Sequence, residues 1–189
     1  RAKGEAQPGV RAISTPRRLA MVLEELGPTF VKLGQMLSTR ADLLPDAYLA
    51  ELRKLTDHVA PFPTSEARRL IEEELGRPVA EVFSRFDDAP IASGSIGQVH
   101  AAALLGGEEV VVKVKRPRIE RTIFADLDLL ELVAHQLARL EDLKPFRPVM
   151  IVEEFRRTLR RELDFVAEAA LTTKIRESLA DNPRVRVPR

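Results

Sequence analysis

The feature that most constrains the fold of this chain is a change of pattern at Asp87. Between residues 16 and 85, apolar residues recur at helical spacing, and glycine and proline residues separate four helical segments. After Asp87 the pattern changes to short β-branched runs separated by small-residue turns, and two long helical stretches follow. This order predicts a helical region followed by an antiparallel sheet with helices, which is an α+β fold.

Composition restricts the class of protein. The chain has 189 residues, of which 44% are hydrophobic and 31% are charged, and it has no cysteine. This is the composition of a globular protein, and it excludes disulfides, thiolate nucleophiles and cysteine-based zinc sites. The net charge of +1 argues against a general nucleic-acid binder. No apolar run approaches the ~18 residues of a membrane-spanning helix, and no signal-peptide pattern is present.

The beginning of the chain is polar and basic. Residues 1–15 are predicted to form a tail, and residues 1–40 hold seven basic residues against three acidic ones. A solvated tail and contact with an anionic membrane surface both account for this charge. Because the chain begins without methionine and ends on a strand-like Val-Arg-Val-Pro segment, we expect it to be part of a longer protein.

The region after Asp87 predicts short strands and two long helices. The strands are predicted over 90–92, 98–104, 109–115 and 185–187. The helices are predicted over 119–137 and 149–178.

A loop of small residues is predicted between the first two strands. Residues 92–99 read Ala-Ser-Gly-Ser-Ile-Gly-Gln-Val. Backbone amides in such a loop can approach phosphate oxygens closely. Gly94, Gly97 and Val99 fit the kinase-type pattern G-x-G-x-x-G-x-V, whereas Ala92 stands at the position of its first glycine. A tight hairpin explains the loop equally well.

Lys113 is the second match to a kinase pattern. It ends a Val-Val-Val-Lys run that fits the V-A-I-K strand, sixteen residues after Gly97. The alternative is a solvated lysine on an edge strand. A lysine of the kinase type needs a carboxylate from a helix packed behind it.

Acidic residues on the second long helix could supply that carboxylate. The candidates are Glu162, Asp164 and Glu168. At about 100° per residue, Asp164 and Glu168 would lie ~40° apart on one helix face. Pairing with neighbouring arginines is the alternative.

Gly34 interrupts an amphipathic helix in the sequence Lys32-Leu33-Gly34-Gln35. A glycine costs about 1 kcal/mol against alanine inside a helix, so it indicates a close helix crossing. A crossing does not account for Lys32 and Gln35.

These strings together resemble the UbiB (ADCK) family of atypical kinase-like proteins. The strings are Phe30–Gln35, Ala92–His100, Val112-Lys113 and Glu162–Phe165 followed by Glu168. The resemblance covers about residues 16–189. It implies a protein-kinase-like small lobe over 87–189, preceded by a helical Lys-x-Gly-Gln extension over 16–86, with the large lobe absent from this chain.

The resemblance also implies a role for each motif. Lys113 would contact nucleotide phosphates and pair with Glu168, while Lys32 and Gln35 would lie on a helix that covers the pocket, with Lys32 facing the Glu-x-Asp motif of Glu162 and Asp164. The residues implied to bind the nucleotide are Ala92, Ser93, Gly94, Ser95, Ile96, Gly97, Val99 and Lys113. Many family members carry alanine at the position of Gly94, so the nucleotide preference of this chain stays open.

The ligand implied by the resemblance is ATP with Mg²⁺. The metal ligands and the catalytic loop are expected after residue 189, so no metal ligand is expected here. The implied role is that of an atypical kinase or ATPase supporting isoprenoid quinone (ubiquinone) biosynthesis. We expect it on the cytoplasmic side of a bacterial membrane, peripheral or anchored through other parts of the protein, near isoprenoid lipid, an anionic membrane and quinone-biosynthesis proteins. The alternatives are a nucleotide-responsive module that binds a lipid or a partner, and a helical interaction segment without a ligand.

Overall fold

The computed structural model describes residues 13–56 and 59–187. They form two compact units, here called the N-terminal unit (13–56) and the sheet unit (59–187). The described residues contain seven α-helices and one four-stranded sheet, which confirms the predicted α+β class. Most of the predicted basic tail, residues 1–12, lies outside the described residues.

The N-terminal unit consists of α1 (Thr15–Leu26), α2 (Pro28–Leu37) and α3 (Asp46–Leu52). The hydroxyl of Ser14 caps α1 by accepting a hydrogen bond from the backbone N–H of Arg17. The buried apolar residues of the unit recur at helical spacing along the three helices. They include Ala20, Leu23, Phe30, Leu33, Leu49 and Leu52, and Leu55 is buried just after the end of α3.

Gly34 lies where α2 packs closely against the side chains of Leu23 and Leu55. A Cβ atom at this position would clash with the side chain of Leu55 and would lie 3.0 Å from Cδ1 of Leu23. The glycine therefore permits a close helix crossing, as the sequence predicts. The amide Nε2 of Gln35 donates to the carbonyl oxygen of Leu55 at 3.1 Å, so Gln35 fastens the same crossing.

The sheet unit opens with α4 (Thr64–Leu75) and continues through four strands. These are β1 (Phe83–Phe86), β2 (Ala92–Ser93), β3 (Gly97–Leu104) and β4 (Glu109–Lys115). The central strand is β3, which pairs antiparallel with β4 on one side and with β1 and β2 on the other. The expectation of uninterrupted helix up to residue 85 is wrong at β1. That strand is only four residues long, and its two phenylalanines are buried while Ser84 and Arg85 are exposed.

The two faces of the sheet differ because side chains alternate along each strand. One face packs on α4. The buried core on this side comprises Phe62, Ala67, Ile71, Val79, Phe83, Phe86, Ala102 and Val114. On the opposite face Val99 stands across from Lys113, and Ala101 stands across from Val111. We call these four residues the open face; Val111 is 62% exposed.

Because α4 shares its core with the sheet, it belongs to the same compact unit as the strands. The functional boundary expected at residues 86 and 87 stays a prediction.

Two antiparallel helices, α5 (Ile119–Leu137) and α6 (Pro148–Leu163), follow the sheet, and α7 (Phe165–Ser178) completes the unit. The hairpin of α5 and α6 packs through apolar residues spaced three to four apart. They are Ile119, Ile123 and Leu127 on α5, with Ala134 two turns further along, and Val152, Phe155, Leu159 and Leu163 on α6.

The prediction of a single helix over 149–178 is wrong, because the helix is interrupted at Asp164. This residue has φ −91° and ψ 82°, and its carboxylate caps α7 by accepting from the N–H of Ala167 at 2.8 Å. Asp competes for backbone donors inside helices and is favoured at their first turn, so a new helix begins here. The calculated angle between Asp164 and Glu168 on one continuous helix does not apply.

Two further features concern the ends of elements. Residues 185–187, predicted as a strand, are not in a strand in the described chain. Among the described helices, none has the length and apolar character needed to cross a bilayer.

Candidate functional site

The ammonium group of Lys113 is held at two points. Its Nζ donates to Oε2 of Glu168 at 2.6 Å and lies 4.3 Å from the ring centroid of Phe165. The predicted ion pair is therefore present. The side chains of Lys113 and Glu168 are 43% and 54% exposed, so the pair adds at most about 1 kcal/mol to stability. Its ammonium group remains accessible to a ligand.

Phe165 is a residue of this site that sequence reasoning did not assign. The Nζ of Lys115 also lies 5.3 Å from its ring centroid, while the same ammonium donates to Glu120 at 2.6 Å. The ring of Phe165 therefore contacts two lysines, Lys113 and Lys115, that project from one face of β4. Its position directly after Asp164, in a chain with only nine aromatic residues, was the available signal.

The break before α7 places Glu168 in the first turn of a helix. A carboxylate is stabilised near a helix N-terminus by the unpaired N–H groups. The capping bond of Asp164 thus fixes the start of the helix that presents Glu168 to Lys113. Glu162 and Asp164 are both exposed. The chemical role expected of the Glu-x-Asp motif stays a prediction.

The small-residue loop, residues 92–97, connects β2 to β3. Ala92 pairs with Val99 across the hairpin, and the N–H of Gly94 donates to the carbonyl oxygen of Gly97 at 2.9 Å. The side chains of Ser95 and Ile96 are buried, and the hydroxyl of Ser95 has no hydrogen-bond partner in the described part of the chain. The loop is therefore a closed turn whose side chains pack inward.

The two glycines of this loop, Gly94 and Gly97, differ in what the backbone requires at each position. A Cβ at Gly97 would lie 2.5 Å from the carbonyl oxygen of Val114, so the close approach of β4 requires glycine there. Positive φ angles occur at Gly27, Gly76 and Gly107 among the described glycines, and not at Gly94. The backbone at Gly94 therefore accepts a side chain without strain in φ.

Gln98 and His100 form a buried polar chain on the core face of β3, and both are 0% exposed. The amide of Gln98 accepts from the N–H of Phe62 at 3.0 Å, and its NH₂ group lies 2.9 Å from Nε2 of His100. His100 Nδ1 lies 2.8 Å from the carbonyl oxygen of Asp87. That carbonyl can only accept, so the proton is on Nδ1 and Nε2 accepts from Gln98. Gln98 and His100 therefore have a structural role, because they connect β3 to the backbone at Phe62 and at Asp87.

The open face places apolar side chains beside a cation. Val99, Ala101 and Val111 surround the position of Lys113 on β3 and β4. Sequence reasoning named only Val99 and Lys113, although strand alternation would have added Ala101 and Val111. An apolar surface beside a fixed cation suits a ligand with one flat apolar end and one anionic end.

A family model, curated relatives and a solved structure match this chain. Residues 54–189 match the family model described as an ABC1 atypical kinase-like domain. The chain belongs to this family. Membership confirms the resemblance to UbiB-type proteins drawn from the sequence motifs and is consistent with a kinase-like small lobe.

Curated relatives of this ABC1 domain carry the name probable protein kinase UbiB. The protein from Marinobacter nauticus is 46% identical over 177 residues, which cover 93% of this chain and 32% of the relative. The protein from Pseudomonas putida is 48% identical, with 93% and 33% covered. The chain thus spans about a third of the length of these relatives.

A solved structure has a similar fold. It is the complex of Rv3197 with erythromycin from Mycobacterium tuberculosis, with a TM-score of 0.57 and 35% sequence identity. The match covers 90% of this chain and 44% of that protein.

The remaining predicted site residues lie in the N-terminal unit. Lys32 and Gln35 are both on α2 and partly buried. The hydrogen bond of Gln35 to Leu55 gives it a structural role within its own unit. That Lys32 faces Glu162 and Asp164 stays a prediction.

Proposed function

We propose that this ABC1 domain forms the small-lobe half of an ATP site in a UbiB-type atypical kinase or ATPase. The observation that supports this most is the Lys113–Glu168 pair at 2.6 Å, on the same sheet face as the apolar side chains of the open face. The small-residue loop begins the strand that stands opposite Lys113. The arrangement matches the lysine, helix carboxylate and strand–loop–strand of kinase nucleotide sites.

Each element has a distinct task in this proposal. Lys113 neutralises phosphate charge, and Glu168 and Phe165 hold its ammonium in place. The amides of the small-residue loop contact phosphate oxygens, and Val99, Ala101 and Val111 face the base.

Bound ATP would supply the phosphoryl group, and Mg²⁺ would neutralise part of the charge of its phosphates. The described residues contain no cluster of three or more acidic or histidine side chains that could hold a metal ion. The proposal therefore places the Mg²⁺ ligands in the rest of the full-length protein. Lys32, Gln35, Glu162 and Asp164 are the other residues that the family resemblance implies to be catalytic, and we propose that they act in the full-length protein.

The physiological role proposed is support of isoprenoid quinone biosynthesis or related membrane lipid metabolism. It rests on the name of the curated relatives and on the family motifs. The proposed location is the cytoplasmic side of a bacterial membrane, with isoprenoid lipid and quinone-biosynthesis proteins as partners.

A second candidate is a nucleotide-responsive regulatory module that binds a lipid or a partner and has little turnover. An apolar cavity of about 530 Å³ along the outer edge of β4 favours it, as does the description of the mycobacterial structure as an erythromycin complex. ATP turnover that rises on addition of anionic vesicles would support the enzyme, and binding without turnover would support the module.

The test of nucleotide binding uses the full-length protein. We expect Lys113→Ala and Glu168→Gln to weaken Mg–ATP affinity by about tenfold or more, which is about 1.4 kcal/mol. Lys144→Ala is the matched control, because Lys144 forms an ion pair of similar length with Glu141 in the connection between α5 and α6. Equal affinity in all three variants and the wild type would contradict the proposed site.

A further inference from the structure

Arg116, the residue after β4, joins the small-residue loop to the segment that precedes α4. Its Nη2 donates to the carbonyl oxygens of Ala60 at 3.0 Å and Gly94 at 3.2 Å, and to the hydroxyl of Ser93 at 3.4 Å. The guanidinium carbon lies 5.4 Å from the ring centroid of Phe62. One side chain therefore ties the loop to residues 60–62.

The backbone of Arg116 holds the other side of the loop. Its N–H donates to the carbonyl oxygen of Ile96 at 2.7 Å, at the short end of the usual range for such bonds. The side chain thus contacts the first half of the loop, and the main chain contacts the second half. A single residue fixes the turn from both sides.

The guanidinium occupies this place at some cost in stability. Desolvation by burial lowers the pKa of Arg116. Its Nε is buried and has no hydrogen-bond partner within the described residues. A buried donor without a partner costs about 1–3 kcal/mol, so stability alone does not account for an arginine at this position.

Three of the four groups that accept hydrogen bonds from Arg116 lie in the small-residue loop. Its three acceptors in the loop, on Ser93, Gly94 and Ile96, belong to the segment whose amides are proposed to contact phosphate. The remaining acceptor, the carbonyl oxygen of Ala60, lies in a segment that Gln98 also fastens through Phe62. Arg116 therefore connects the loop to residues 60–62, which Gln98 also holds by a hydrogen bond.

We propose that Arg116 is a positioning residue for the nucleotide site, which fixes the small-residue loop in its phosphate-binding conformation by tying it to residues 60–62. This inference rests on the proposed nucleotide-binding function. Arg116 acts through the loop and is not itself placed against the nucleotide. Preorganised donors bind a charged ligand better because the ligand does not have to order them.

The experiment compares variants of the full-length protein. Arg116→Ala removes the guanidinium, and Arg116→Lys keeps its charge but replaces the planar fork with a single ammonium group. Arg121→Ala, at an exposed arginine near the start of α5, is the matched control, and Lys113→Ala reports on the nucleotide site itself. Two quantities are measured: amide hydrogen exchange of residues 92–97 without nucleotide, and Mg–ATP affinity. Thermal unfolding shows which variants fold.

We expect both Arg116 variants to show about tenfold faster exchange in the loop and about tenfold weaker Mg–ATP affinity, with the Arg121 control within about twofold of wild type. If Arg116→Ala does not fold, the Arg116→Lys variant decides. Full affinity in Arg116→Lys would show that charge alone suffices, and it would overturn the positioning role.

The outcomes also separate this inference from the proposed function. Unchanged loop exchange and affinity in the Arg116 variants, together with a loss in Lys113→Ala, would overturn the role of Arg116 and leave the site intact. Unchanged affinity in Lys113→Ala would overturn the site. In that case loop exchange still decides whether Arg116 holds the loop, but no positioning role for nucleotide binding survives.

Discussion

At the residue scale, the glycines of the small-residue loop do not share one purpose. Gly97 is required by the backbone of β4, whose Val114 carbonyl oxygen would lie 2.5 Å from an added Cβ. Gly94 has no positive φ, and its carbonyl oxygen accepts from Arg116. The packing of β4 thus explains why residue 97 is a glycine. A substitution at Gly94 instead tests whether the loop determines the nucleotide preference.

Gly97→Ala is predicted to destabilise the full-length protein by about 1–3 kcal/mol, because a backbone carbonyl cannot rotate away from the new methyl group. Gly106→Ala is the control, since no atom lies within 4 Å of a Cβ built there. We expect this control to stay within about 0.5 kcal/mol of wild type in urea unfolding. Equal stability of the two variants would contradict the close approach of β4 to Gly97.

At the element scale, the break between α6 and α7 decides where Glu168 points. The cap by Asp164 starts a new helix, so the direction of α7 is set independently of α6. The helical pattern of residues 149–178 contains no glycine or proline at this point, and a periodicity analysis therefore continues the helix through it. The break is seen only in the structure, from the non-helical backbone angles and the capping bond of Asp164.

Two substitutions at Asp164 separate its capping bond from its charge. Asparagine caps a helix as well as aspartate does, so we expect Asp164→Asn to keep the stability of the full-length protein, whereas Asp164→Ala loses about 1 kcal/mol. If the Glu-x-Asp carboxylate acts in the chemistry, Asp164→Asn lowers ATP turnover without a loss of stability. Wild-type stability of Asp164→Ala in urea unfolding would show that the cap contributes nothing.

The strands show which elements the sequence could predict. The predicted bounds of β4 agree with the structure because Val110, Val111 and Val112 form a continuous β-branched run between a glycine turn and Pro117. The strand β1 escaped prediction because its four residues are too short for a periodic signal, and the sheet recruits it through Phe83 and Phe86. The pairing of Lys113 with Glu168 was predicted from the family motifs. Arg116 and Phe165 were not, because their contacts depend on the tertiary fold.

At the scale of the whole molecule, our proposal assigns only the small-lobe part of the nucleotide site to this chain. It spans about a third of its curated relatives, and among the described strands β4 pairs on one side only. A cavity of about 530 Å³ lies along its other edge, between α4 and the junction of α6 and α7. An unpaired strand edge is usually covered by another part of the protein.

The isolated chain of residues 1–189 is predicted to bind Mg–ATP at least about tenfold more weakly than the full-length protein. Lys113 and the small-residue loop would meet the triphosphate without the metal ligands, and Mg²⁺ supplies much of the charge neutralisation in kinase sites. Calorimetry on both proteins measures the difference. Equal, micromolar affinity in the two would show that the pocket lies elsewhere in this chain.

The most direct measurement is a crystal structure of the full-length protein with Mg²⁺ and a non-hydrolysable ATP analogue. We expect Nζ of Lys113 at about 2.7–3.2 Å from an α- or β-phosphate oxygen, with its bond to Glu168 retained. We also expect the small-residue loop to lie against the phosphates and the base to lie on the open face beside Val111. A nucleotide bound away from the open face, with Lys113 contacting only Glu168 and Phe165, would contradict the proposed site.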